Sequence, residues 1–160
     1  MVARISVGKN LYGALAYNQN KVDEGGAKIL SAHRLRYPED GRFRPDESVR
    51  QFLEWMPNHY RTEKPVIHIS LNPHPDDVLT DGQLAEIGRE YMQRLGYGNQ
   101  PYLVFKHEDI GRHHIHIVSL RVDSEGRKVS DKFEYRRSKE ITELLEQKYG
   151  LHPADCLLYT

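Results

Sequence analysis

Cysteine is nearly missing from this chain: Cys156 stands alone in 160 residues, so no intrachain disulfide framework can form, and the chain fits a reducing compartment. No apolar run approaches the roughly 20 residues that a membrane-spanning helix needs. The first ten residues carry no apolar stretch of signal-peptide type. Charge of one sign is missing too, since 23 Lys+Arg balance 23 Asp+Glu, and bulk charge gives no reason to expect nucleic acid. There is no internal repeat and no low-complexity tract. What is present is 38% hydrophobic and 29% charged residues with a mean hydropathy of −0.72. That describes a wet-surfaced globular chain, long enough for one domain whose core needs no covalent staples.

The charge is unevenly spread. Residues 1–44 hold Arg4, Lys9, Lys21, Lys28, Arg34, Arg36, Arg42 and Arg44 against Asp23, Glu24, Glu39 and Asp40, a net of +4. Residues 127–139 hold Arg127, Lys128, Lys132, Arg136, Arg137 and Lys139 against Asp131 and Glu134, again +4. Taken singly, each segment reads as a solvated loop; brought together by a fold, they make one phosphate-binding face. The nine histidines are also clustered, with His107, His113, His114 and His116 inside ten residues.

Hydrophobic spacing predicts a strand at 2–7 and a helix at 10–20. Residues 23–44, with Gly25, Gly26, Pro38 and Gly41, read as irregular connection with room for a strand at 27–31. Val49, Phe52, Leu53 and Met56 mark a helix that Asp46 can cap and Pro57 closes. A buried strand follows at 66–71. Thr80 and Gln83 form a capping box ahead of Leu84, Ile87, Tyr91 and Leu95, and Gly96 supplies the stop. Strands at 102–107 and 114–122 are joined by six residues, which demands an antiparallel pair. A last helix opens at Ser138 and stops at Gly150. The fold class is α+β, a central, mainly antiparallel sheet with flanking helices.

The segment from Lys106 to Val118 carries the chemistry. Side chains alternate along a strand, so His114 and His116 share a face about 7 Å apart, and a hairpin returns His107 beside His114. Three converging imidazoles suit a divalent transition metal with positions left open for water or a phosphate oxygen. Asp109 is near enough to accept from a ligand's second ring nitrogen. A lone His-x-His is ordinarily a half-exposed sheet face, but the third histidine at the hairpin return tips the reading to metal. A closed structural zinc wants four ligands, often cysteine, and none is near in sequence. His68 reads as a satisfied histidine of the core or of the site's surroundings, and His113 points away from His114. His33, His59, His74 and His152 read as surface, and Trp55 with the Phe52/Met56 stripe as core. Tyr17 and Lys21 stand at i, i+4, so on a helix the ammonium lies beside the phenol, where it favours negative charge on the attacking oxygen and meets a phosphate. Residue chemistry alone does not separate that role from packing, for Tyr17 or for Tyr12.

The segments GALAYNQNK, HISLNPHPDDVLTDGQLAEIGREYMQRLGYG and PYLVFKHEDIGRHHIHIV resemble the relaxase (mobilisation protein) family over about residues 2–122. The likeness is greatest to plasmid and conjugative-transposon relaxases of Bacteroides type. His107, Asp109, His114 and His116 match the family's H-x-D-x-x-x-x-H-x-H form, and His114-Ile115-His116 is the histidine–hydrophobic–histidine element of the wider HUH endonucleases. The resemblance implies a five-stranded antiparallel sheet and a His107/His114/His116 site for one divalent ion such as Mg or Mn. It also implies a tyrosine that nicks one strand at an origin of transfer and stays linked to the 5′ phosphate. Tyr17 matches that nucleophile through the Y-N-x-x-K pattern ending at Lys21, with Tyr12 in reserve. Where the family often has Asn, four residues after the last histidine, this chain has Leu120, preceded by Ser119.

The expected substrate is single-stranded or hairpin origin-of-transfer DNA. Lys9, Lys28, Arg34, Arg36, Arg42, Arg44, Arg112, Arg136 and Arg137 are the candidate phosphate contacts. By the same resemblance the expected partners are accessory relaxosome proteins and a type IV secretion coupling protein, with no membrane, in the bacterial cytoplasm. Residues 1–160 are expected to be a single relaxase nuclease domain, the N-terminal part of a longer protein as in most relaxases. Two rivals stand beside this reading. A replication initiator or single-tyrosine transposase would use Tyr135 or Tyr149, after the histidine strand. A non-catalytic binding module would hold a structural metal or none.

Overall fold

Alternating apolar residues and helix-spaced stripes resolve into nine elements in a computed structural model that describes residues 1–40, 42–108 and 111–154. In chain order they are β1 (Val2–Gly8), α1 (Leu11–Asp23), β2 (Ala27–His33), α2 (Pro45–Trp55), β3 (Val66–Asn72), α3 (Asp81–Leu95), β4 (Tyr102–His107), β5 (His114–Leu120) and α4 (Glu134–Tyr149). The strands form one five-stranded sheet in the order β1-β3-β5-β4-β2, antiparallel at every pairing.

Both faces of the sheet are covered, and strand parity sorts the two cores. Ile67, Ile69, Leu71, Val104, Ile115 and Ile117 pack with Leu84, Ile87, Tyr91 and Leu95 of α3 and with Ile141 and Leu145 of α4. Val66, Leu103, Phe105, Val118 and Leu120, from the alternate positions, pack with Leu11 and Leu15 of α1 and Phe52 of α2. His107, His114 and His116 belong by parity to this second face. Burial on both sides explains why the inner strands read as nearly unbroken apolar runs.

The capping box of α3 is formed as expected: Gln83 N donates to Thr80 Oγ1 (3.1 Å) and Thr80 N to Gln83 Oε1 (2.9 Å). Gly96 closes that helix at φ 105°, a conformation that residues with a Cβ rarely adopt. Expectations for four elements need correction. Residues 27–33 form a complete edge strand with a bulge between Ile29 and Ser31, because pairing with β4 overrides the glycines around it. Arg44 caps α2 with Pro45 in its first turn, leaving Asp46 inside that turn, and Leu53 is exposed rather than core. The helix ends at Trp55, since Met56 precedes Pro57 and adopts the extended backbone that position favours. Helix α4 starts at Glu134, not Ser138, whose buried hydroxyl instead bonds the Tyr91 hydroxyl at 2.7 Å. Strand β5 ends at Leu120, with Val122 reaching only an isolated bridge to Lys128.

Candidate metal and nucleophile site

Pairing of β4 with β5 sets His107 directly opposite His114, and parity brings His116 to the same face. The three side chains offer ligand nitrogens that all lie within 4.8 Å of one another. His107 and His114 are buried and His116 is half-buried.

Each ring is oriented by a hydrogen bond through one nitrogen. Asn18 is buried on α1; its Nδ2 donates to Ala14 O (2.8 Å), which identifies Oδ1 as the acceptor facing His107 Nε2 at 2.8 Å. His107 therefore carries its proton on Nε2, leaving Nδ1 basic. His114 Nδ1 lies 3.4 Å from Arg112 O, which can only accept, so Nε2 is its basic nitrogen. His116 Nδ1 is 3.0 Å from His68 Nε2. Burial pushes the His68 pKa down and favours its neutral form, which can accept from His116 Nδ1–H and leave Nε2 as the ligand atom. A donor set of three imidazoles, each held from behind, fits a divalent metal ion.

The face of α1 that carries Asn18 also carries Tyr17. Its ring stacks beside His107, with centroids 6.3 Å apart and planes at 26°, while 54% of the residue stays exposed. Lys21 Nζ lies 6.0 Å from the Tyr17 ring centroid. Tyr12 is exposed on the same helix, one turn and more toward its start. Asp109 lies outside the described residues.

The arginines and lysines proposed as phosphate contacts differ in what already holds them. Lys28 pairs with Asp81 (2.5 Å), which also takes Lys106 (2.7 Å). Hydrogen bonds from Lys106 and then Lys28 hold the Asp81 carboxyl below its ordinary range. Arg36 faces Glu54 at 3.9 Å, Arg42 faces Asp23 at 3.9 Å, and Arg44 binds Asp40 at 2.6 Å. Arg34, at φ 55°, lies 5.2 Å over Trp55. Arg137 donates to the carbonyls of Lys132, Ser130 and Leu95. Lys9, Arg112 and Arg136 are exposed, and no ion pair is described for them.

Asn18 was not read from sequence, whereas His68 stands in the site's surroundings as its place on the strand suggested, with His116 as its partner. An asparagine in the middle of a helix, where its side chain competes with the backbone, was the available signal for Asn18. Three histidines read as surface have partners instead. His74 is buried and stacks on His152 at 4.6 Å, whose Nδ1 lies 2.6 Å from Asp77 Oδ1. His33 stacks on Tyr102 at 4.6 Å and reaches Gln100 O with Nδ1.

Among the described residues no helix is long and apolar enough to cross a membrane. No curated protein matches the chain in a sequence search. The model of the family described as "Relaxase: MobA/VirD2-like, nuclease domain" matches residues 17–151, a span that opens on Tyr17 and encloses the whole histidine site. With most of its length inside that match, and with an antiparallel sheet carrying three histidines on one face, the chain belongs to the MobA/VirD2-like relaxase nuclease-domain family.

Proposed function

We propose that this protein is a metal-dependent DNA relaxase that nicks one strand at an origin of transfer by transesterification through Tyr17, for conjugative mobilisation. The observation that carries the reading is the Tyr17 ring beside His107, exposed on the helix that covers the triad. His107, His114 and His116 would hold one divalent ion, which when bound supplies Lewis-acid polarisation of a phosphate oxygen. The Tyr17 hydroxyl attacks phosphorus in line and loses its proton. The bond to the 3′ oxygen breaks, and that oxygen takes up a proton as a free 3′ hydroxyl, while the 5′ phosphate stays on Tyr17. Lys21 is near enough to neutralise the phosphate as charge develops on it. Because one phosphoester replaces another, the same site can rejoin the strand.

The replication-initiator alternative is disfavoured by position. Tyr135 and Tyr149 belong to α4, which packs with α3 on the sheet face opposite the histidines. Accessory relaxosome proteins and a coupling protein belong to the same proposal by family resemblance.

The test is gel detection of a covalent adduct on labelled single-stranded origin DNA with Mn or Mg present. Tyr17→Phe is expected to abolish the adduct while Tyr12→Phe retains it. His114→Ala/His116→Ala is expected to lose metal uptake and nicking together. An adduct in Tyr17→Phe that maps to Tyr12 overturns the assignment of the nucleophile. One mapping to Tyr135 or Tyr149 overturns the relaxase order of events.

A further inference from the structure

We propose that the turn opening α4 is a stacking platform for single-stranded DNA, on which Phe133 and Tyr135 take bases and Lys132 and Arg136 take the phosphates between them. This rests on the relaxase reading above and names where the strand goes once it leaves the histidines.

Three of the four phenylalanines are buried, at 4% or less exposed: Phe43, Phe52 and Phe105. Phe133 is 57% exposed, and Tyr135, two residues on, is 77% exposed. Neither belongs to either core. Phe133 also sits at φ 55°, ψ 33°, a left-handed conformation in which a bulky residue is an outlier, at the start of a helix it does not cap with a side chain. Conformational strain at an exposed side chain points to a task outside the fold.

The ring is flanked by cations. Arg136 Cζ lies 4.4 Å from its centroid and Lys132 Nζ 5.5 Å. Among the described residues neither cation has a carboxylate partner. The nearby Asp131 is held by Arg121 (3.1 Å) and Lys128 (3.3 Å). The turn is rigid, because the Arg137 guanidinium spans the carbonyls of Lys132 (2.9 Å), Ser130 (2.9 Å) and Leu95 (3.0 Å) and ties it to the end of α3. Rings held in advance lose little freedom when a base stacks on them.

The platform lies on a route from the triad. Phe133, Tyr135 and Arg136 share a cleft with Ile5 and Val7 of β1, an edge of the sheet. On the histidine face, cross-strand pairing runs His116 to Ser70 to Arg4. That row spans two strand spacings, roughly 10 Å, and ends on an exposed arginine. A single strand leaving the triad along it reaches β1 and turns over the edge onto Phe133. Paired bases in a duplex have no free faces to offer two protruding rings, so the occupant is single-stranded.

The test is fluorescence anisotropy with a labelled mixed-sequence 25-nucleotide single strand and the same sequence as duplex, over a range of salt. Phe133→Gly removes the ring without asking a Cβ to hold the left-handed backbone, so the fold is retained. Phe133→Gly/Tyr135→Ala is expected to weaken single-strand binding tenfold or more, with an unchanged salt slope and an undiminished Tm. Arg136→Gln is expected to reduce the slope by about 0.7, the loss of one phosphate contact. Wild-type affinity in the double variant overturns the platform, as does an equal loss on duplex. If the double variant loses single-strand affinity while wild type forms no covalent adduct, the platform stands and the nicking reading fails. If adduct forms in both and affinity is unchanged, nicking stands and the platform fails.

Discussion

Asn18 joins two helix-borne tasks in one amide: its nitrogen holds Ala14 O, and its oxygen holds the protonated nitrogen of His107. Asn18→Leu keeps the volume and removes both bonds, leaving a buried imidazole N–H without its acceptor. The expected loss is about 10–100-fold in metal affinity, together with roughly 1–3 kcal/mol of stability. Calorimetric titration with Mn and a thermal melt on the same sample measure the two. Tyr17 remains on the surface in that variant, so a lost adduct there would be recovered by raising the metal concentration. The convergence of His107, His114 and His116 could be read from sequence because strand parity and a short hairpin are local rules. The bond between Asn18 and His107 joins residues 89 apart, and no periodicity carries it. The His68–His116 contact crosses 48 residues and became visible only once β3 was seen to pair with β5.

Helices α3 and α4 meet through Glu90, whose carboxylate takes Lys148 of α4 at 2.9 Å and Arg94 of its own helix at 3.2 Å. The Lys148 hydrogen bond is the main cause of a Glu90 pKa held below its ordinary value, with burial opposing it. A carboxyl depressed in the folded state stabilises above its unfolded pKa, near 4.3. That contribution is lost as pH falls through the lower folded value. Glu90→Gln is therefore expected to lower stability by about 1 kcal/mol at pH 7, with the gap from wild type closing below about pH 4. Thermal melts from pH 7 to 3 check the sign. Most elements announced themselves by capping residues and apolar stripes, as Thr80, Gln83 and Gly96 did for α3. The beginning of α4 did not, because its first residue follows a left-handed Phe133 that no helix-start rule anticipates. The edge strand β2 was obscured by the glycine pair before it, since its pairing partner β4 lies some 70 residues away in sequence.

Across the whole molecule, the +4 balance of residues 1–44 overstates how much charge is available to DNA. Lys28, Arg36, Arg42 and Arg44 each face a carboxylate and Arg34 lies over Trp55, which leaves Arg4, Lys9, Arg112, Lys132 and Arg136 as the exposed cations best placed for phosphates, with no carboxylate partner among the described residues. Five phosphate contacts at about 0.7 each predict a slope of log Kd against log salt near 3.5 for a single strand. A slope near 6, from binding titrations between low and moderate salt, would mean the paired cations release their acids to bind DNA. The strand order has a consequence of another kind, in the timing of synthesis. β5 is the last strand made and the middle one in space, flanked by β3 and β4. Until it emerges, the earlier strands can form only two separate two-stranded ribbons, β1 with β3 and β2 with β4, each too small to persist alone. Two of the three histidines arrive on β5 itself. A chain still attached to the ribosome and stopped short of residue 114 thus has neither a closed sheet nor the three-histidine cluster, so the proposed chemistry waits on the insertion of β5.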